Sequence, residues 1–308
     1  MVRLVPTHHL LSQMELQDSM ITSAQAIVRG MRGESHSYLL DTKDGNHYVT
    51  KFAGSPLARR RLVNEWVGSQ LLSHLGLATP SVRMVETTAD FIQAHSGKLS
   101  ATGLDPAALR GPHFGSQFPG DPATSVVYDF LPDRFLVQVE NLDDFVGTLI
   151  VDLWCGKMSR RQAIFIRSQE RTGWFRALMI DNGDLFGGEA WLLDGAGAPA
   201  LHLSLAAYTS LRSTADLAPW LTKIQNIPES FFRSLASIVP TEWVGGHGLE
   251  LDALLRQLSF RRSDLRSRVL SSLRPKVDSL PSWVDETPVR MGPRPQRSEM
   301  TFSNHFVA

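Results

Sequence analysis

At about 150 residues per domain, a chain of 308 residues divides into about two compact units or one large bilobal one, and is too long for a small stapled peptide. With 43% hydrophobic and 20% charged residues the composition is globular, which excludes collagen-like, coiled-coil and disordered polyelectrolyte classes. Lys plus Arg is 31 and Asp plus Glu is 31, so no net charge drives bulk attraction to nucleic acid or to an anionic membrane.

In chain order, AQAIV, SHSYLL and HYVTKF within residues 24–52 read as three short strands of an antiparallel meander, with Asp44-Gly45 as the second turn. After Pro56 the period changes. Val63, Trp66, Val67, Leu71 and Leu75 form one apolar stripe, predicting a long helix with Gly76 at its C-cap. VRMVET reads as a strand, residues 97–124 as a long Gly/Pro/Ser-rich loop, and SVVYDF as a strand ended by Pro132. From Asn141, NLDDFVGTLIVDLWC predicts a buried helix, with Phe145, Leu149, Val151 and Leu153 facing the core. RQAIFIR and WFRALMID follow as a hairpin around SQERTG, closed by Asp181-Asn182-Gly183. Residues 204–273 read as mainly helical, and the stretch beyond Pro275 as a loose tail.

The single Cys155 excludes an internal disulfide and suits a reducing cytoplasm. The N-terminal stretch lacks a signal-peptide pattern, and no run of about 18 apolar residues occurs, so the expectation is a cytoplasmic protein without a membrane span. The histidines show neither HExxH nor Cys/His spacing, which argues against a zinc enzyme.

Period-two alternation places Val49 and Lys51 on one face of the third strand. An ammonium in an apolar strand calls for a counter-ion, and Glu65 on the following helix is the nearest candidate; such a Lys–Glu pair beside phosphates is a phosphotransferase arrangement. Taken alone, Lys51 reads first as the cap of an edge strand facing water and Glu65 as a solvated helix residue. Gly30-Met31-Arg32-Gly33 between the first two strands has the glycines that let backbone N–H groups approach an anion, though the same loop serves an ordinary hairpin. Asp181 offers a hard carboxylate for Mg²⁺, while Asp-Asn-Gly is also a good β-turn. Arg59-Arg60-Arg61 reads as a solvated helix face.

Together these residues resemble the bacterial HipA-like kinases, relatives of the protein-kinase fold that bind ATP. The resemblance runs through VRGMRGESHSYLLDTKDGNHYVTKFAGSPLARRRLVNEWVGSQLLSHLGLATPSV, HFGSQFPGDPATSVVYDFLP, DDFVGTLIVDLWCGKMSRRQAIF and the MIDNG segment, covering about residues 24–194. Helical elements up to about 270 look similar too. It implies an α+β, two-lobed kinase-like fold, with a β-rich N-lobe at 1–131 and a mainly helical C-lobe at 132–274, followed by a tail at 275–308. It further implies ATP and Mg²⁺ as cofactors and a protein Ser/Thr hydroxyl as acceptor. Gly30, Gly33 and Ser35 would belong to the phosphate-covering loop, Lys51 would contact the phosphates with Glu65 holding it, and Asp181 would bind the metal. Val49 would roof the adenine, beside a hinge of Tyr128, Asp129, Phe130 and Leu131.

The catalytic loop departs from the family pattern. Related sequences look like W-x-x-N-T-D-G-R-Q-A-I-F, whereas this chain runs Trp154-Cys155-Gly156-Lys157-Met158-Ser159-Arg160-Arg161-Gln162-Ala163-Ile164-Phe165. Ser159 stands where the catalytic aspartate is expected, Lys157 replaces an amide, and Gln162 keeps its place. A hydroxyl cannot act as a carboxylate base, yet phosphoryl transfer depends chiefly on positioning and charge. Asp152 and Asp184 lie nearby without the expected placement. Three readings follow: an ATP-dependent Ser/Thr protein kinase, a pseudokinase that binds nucleotide or a partner, and a metabolic phosphotransferase of similar shape.

Overall fold

The computed structural model describes residues 20–32, 37–54, 56–193 and 199–284, with backbone alone at positions 56 and 57. Strands β1 (Ile21–Gly30), β2 (Tyr38–Thr42) and β3 (His47–Lys51) form the expected antiparallel meander. The β2–β3 turn places Gly45 at φ 77°, where a side chain would be strained. Helix α1 (Pro56–His74) follows, with every member of its apolar stripe buried and Gly76 at φ 76° beyond its end.

The sheet does not stay open. Strand β4 (Val82–Thr87) pairs parallel with β1 and antiparallel with β5 (Gly111–Gln117), closing a five-stranded barrel in the order β1-β2-β3-β5-β4. Ile27, Leu40, Tyr48 and Val85 belong to one buried cluster with Phe91 and Leu109, while Val49 and Lys51 take the opposite face.

Strand β5 corrects the expectation of a continuous loop across 97–124, which also holds short helical turns. GPHFGSQ carries a proline and two glycines and no alternation, so pattern alone hides it. Gly115 is required by packing: a Cβ there would lie 2.5 Å from Val85 Cγ2 and 3.2 Å from the Arg83 carbonyl. SVVYDF likewise shortens to β6 (Val127–Tyr128).

Helix α2 (Asp143–Cys155) is buried from Phe145 to its end. Strand β7 (Gln162–Arg167) then pairs with β6 and with β8 (Phe175–Ile180), making a three-stranded sheet from the predicted hairpin. Beyond it the described chain is helical, with α3 (Ala218–Gln225), α4 (Glu229–Ser237), α5 (Gly248–Phe260) and α6 (Leu265–Leu273). One large core joins α1, α2, β7, β8 and these helices. Residues 275–284, read as the start of a loose tail, pack back instead: Leu280 is buried and Val284 N–H donates to the Arg212 carbonyl at 2.7 Å. Among the described residues no helix is long and apolar enough to cross a membrane.

Candidate functional site

Side chains from β3, α1 and β7 gather around Asp181 and Asn182. From β3, Lys51 Nζ donates to Asp181 Oδ1 at 3.0 Å and to Glu65 Oε1 of α1. Glu65 Oε2 in turn accepts the Asn182 backbone N–H at 2.8 Å, so one carboxylate ties α1 to the strand lysine and to the β8 turn. Gln162, at the start of β7, donates from Nε2 to Asp181 Oδ2 at 3.0 Å.

Charge follows from this geometry. Burial pulls the Lys51 ammonium down, but Glu65 and Asp181 outweigh it and hold Lys51 above its ordinary pKa. Burial raises Asp181, yet Lys51 and Lys157 keep it ionised below the usual carboxylate range. Lys157 is itself lowered, first by burial and then by Arg161. Its Nζ donates to the Asp181 carbonyl at 2.6 Å, a placement set by the end of α2. Gly156 adopts a left-handed φ of 64°, and both it and Lys157 return their backbone N–H groups to the Asp152 carbonyl.

The turn after β8 is held in an unusual shape. Among the described residues, the non-glycine positions with positive φ are Asp181, Phe186 and Trp191, all within this one segment. Asn64 of α1, fully buried, fastens it: Nδ2 faces the carbonyls of Gly183, Leu185 and Gly188 at 2.8–3.0 Å, and Oδ1 accepts Trp191 Nε1 at 2.8 Å. Gly68, one helical turn further, leaves room for Asn182, whose Cβ would lie 2.6 Å from an added Cβ.

Ser159 Oγ is buried beside Asp184 and makes no hydrogen bond of good geometry. Burial raises the Asp184 carboxyl, and the Ser159 hydroxyl and the Arg61 guanidinium reverse this, leaving it below the carboxylate range. Asp152 is closed off, buried against Arg161. Arg161 also donates to the Ile180 carbonyl at 2.8 Å and to Asn182 Oδ1 at 2.9 Å.

Alternation along β7 and β8 puts Gln162, Ile164 and Ile166 on one sheet face with Leu178 and Ile180. At the far end of that face lies a cavity of about 620 Å³, lined by Ser81, Gln117, Phe118, Tyr128, Ile166 and Leu178 among others. The polar cluster and the apolar-floored cavity thus share one sheet surface.

The structure therefore brings together Lys51, Glu65, Asp181 and Gln162, with Val49 half-buried on the Lys51 face and Ser159 close by. Of the four residues read as a hinge, Tyr128 lines the cavity, whereas Asp129 and Phe130 are exposed and Leu131 enters the main core. The strand partner of β6 is β7, so the chain leaving the barrel after β5 is the 118–126 segment. Gly30 ends β1 opposite Tyr38 without a left-handed φ, and Gly33 and Ser35 lie outside the described residues. Sequence reading missed Asn64 and Arg161. The signal for Arg161 was Asp152, an ion inside the apolar run TLIVDLWC that requires a cationic partner.

Residues 24–131 match the family model described as HipA-like kinase. Over that stretch the chain is similar to the HipA-like kinases, as its motifs imply. The match ends before residues 154–165, so the HipA-like resemblance of 132–194 rests on the quoted residues. Among solved structures, a Helicobacter pylori proinflammatory kinase, CtkA, superposes with a TM-score of 0.51 at 12% identity, covering 80% of this chain and 98% of that one. A Golgi casein kinase with Mn/ADP bound gives a TM-score of 0.50 at 13% identity over 86% of this chain and 77% of its own. A second structure of the Golgi casein kinase gives 0.50 at 14% over 86% and 75%. These likenesses show a kinase-like fold of mixed helix and strand. No curated protein matches the sequence.

Proposed function

We propose that this HipA-like chain binds ATP between two lobes, the barrel with α1 (about 1–131) and the mainly helical part (132–274), and transfers the terminal phosphoryl group to a protein Ser or Thr hydroxyl. One observation carries the reading: Lys51, Glu65 and Asp181 are assembled by direct contact although Lys51 and Asp181 are separated by 130 positions. An interaction across that separation fixes the strand, the helix and the turn that a phosphate-handling site needs in one place. The cavity floored by Ile166 and Leu178 would take the adenine, and Lys51 the phosphates.

The residues fit a divalent cation that arrives with the nucleotide and not a protein-only cage. Mg²⁺ shared with phosphates uses one or two protein carboxylates, and Asp181 supplies one, with the Gln162 amide beside it. Among the described residues no group of three His, Cys, Asp or Glu side chains could hold a metal. When bound, such a cation would neutralise charge on the phosphate oxygens.

In transfer, the acceptor hydroxyl oxygen bonds to the terminal phosphorus, the bond from that phosphorus to the bridging oxygen breaks, and ADP leaves. Ser159 offers no carboxylate, so the hydroxyl proton passes to solvent or to a phosphate oxygen. Slow transfer is the consequence. A buried Ser159 hydroxyl in place of a carboxylate favours a second reading, a pseudokinase that binds nucleotide or a partner without efficient transfer.

Labelled terminal phosphate from ATP, offered to the protein itself and to a cell extract, separates the two. Transfer that disappears in Lys51→Ala identifies a working kinase. Silence in the wild type with activity gained in Ser159→Asp, by about 10²–10⁴-fold as for a restored general base, identifies a pseudokinase. Silence in both removes phosphoryl transfer from the reading.

A further inference from the structure

Beneath the site lies a buried ammonium with no ion-pair partner among the described residues. Lys157 is 5% exposed, and among the described residues the one hydrogen bond of its Nζ is to the Asp181 carbonyl at 2.6 Å. An ammonium has three N–H donors, so two are left without a partner. The carboxylates around it are committed elsewhere: Asp152 to Arg161, Glu65 to Lys51 and the Asn182 N–H, Asp181 to Lys51 and Gln162, and Asp184 to Arg61. Burying a charge without a paired anion costs several kcal/mol, and the cost is recovered when an anion with several acceptor oxygens arrives.

The place where that anion would lie is fixed by Asp181. Lys51 contacts its carboxylate and Lys157 its main-chain carbonyl, so both ammonium groups meet one residue from different sides. Resting on the nucleotide-binding reading above, we propose that Lys51 and Lys157 are a two-lysine clamp for the polyphosphate of a nucleoside di- or triphosphate, and that it holds the nucleotide when no divalent cation is present. A metal needs the Asp181 carboxylate that Lys51 and Gln162 occupy. The clamp does not.

The test titrates ADP into the full chain by calorimetry, once with excess EDTA and once with Mg²⁺, for the wild type, Lys157→Met and Lys157→Gln. Lys157→Met keeps the apolar length and removes an unpaired buried charge, so the fold is retained; Lys157→Gln carries the same comparison should it fail to fold. Comparable wild-type affinity in the two buffers, with a loss of about tenfold or more in EDTA for either variant, is the expected result. ADP binding that appears with Mg²⁺ alone, or Lys157 variants that bind in EDTA like the wild type, would overturn the clamp and leave the nucleotide reading standing. No ADP binding in either buffer would overturn both.

Discussion

Arg161 grips Asp152 through both carboxylate oxygens, and with side chains 1% and 0% exposed this pair is sealed from water. It links α2 to the segment entering β7, and the other arm of the guanidinium reaches Ile180 and Asn182 on either side of Asp181. Removing one partner leaves an uncompensated buried charge. Asp152→Asn is therefore expected to lose about 3–5 kcal/mol in urea unfolding. A loss under about 1 kcal/mol would class the pair with exposed salt bridges and reject its structural role.

Asn64 is the clasp between α1 and the strained turn. Its amide donates toward three carbonyls and its oxygen accepts from Trp191, a pattern that only a side chain with both donor and acceptor can satisfy. Asn64→Asp sets a carboxylate against three carbonyl oxygens and should cost about 2–3 kcal/mol, more than Asn64→Ala. On the proposed nucleotide-binding reading, the same variant should shrink the rise in melting temperature that ADP is expected to produce, because the turn carries Asp181. Equal effects of Asp and Ala would show that packing alone, and not the donor set, holds the turn.

Gly68 makes that approach sterically permissible. A methyl group there would come within 2.5 Å of Leu185 Cδ1 and 2.6 Å of Asn182 Cβ. Gly68→Ala is expected to destabilise by about 1–3 kcal/mol through overpacking and to weaken ADP binding, as the turn is pushed away from α1. Unchanged stability and ADP affinity, measured by thermal melts and calorimetry, would show that the turn relaxes freely.

What the sequence disclosed and what it hid divide along physical lines. The apolar stripe of α1, the Asp44-Gly45 turn and the β7–β8 hairpin are local patterns, and each forms where it was read. Lys51 and Glu65 sit 14 positions apart, near enough for a strand-then-helix argument to pair them. Strand β5 was hidden because Gly115 is there to avoid Val85, a contact made only after the barrel closes. Asn64 was hidden for the same reason, since its partners lie about 120 residues away. Local periodicity carries no trace of a hydrogen bond that tertiary packing creates.

His113 gives the barrel an acid-sensitive element separable from its carboxylates. The ring is buried, with Nε2 2.8 Å from the Leu109 carbonyl and 3.1 Å from Thr87 Oγ1, and it meets the edge of Phe52. Burial pushes its pKa down to about 4 from the ordinary 6.5, only partly opposed by the Leu109 carbonyl. The unfolded chain therefore takes up a proton near pH 6.5 that the folded chain refuses until about pH 4. Over that window the unfolded state binds more protons, so stability falls as pH falls, by about 3 kcal/mol in all, and is flat in this respect above pH 7. Asp44, Asp181 and Asp184 have lowered values, so their contributions are present above the ordinary carboxylate pKa and are lost only at lower pH. Burial lowers His202 as well, so urea unfolding from pH 7.5 to 4.5 should show a decline that is steeper in the wild type than in His113→Gln. Parallel curves for the two proteins would mean that His113 titrates alike in both states and is no acid sensor.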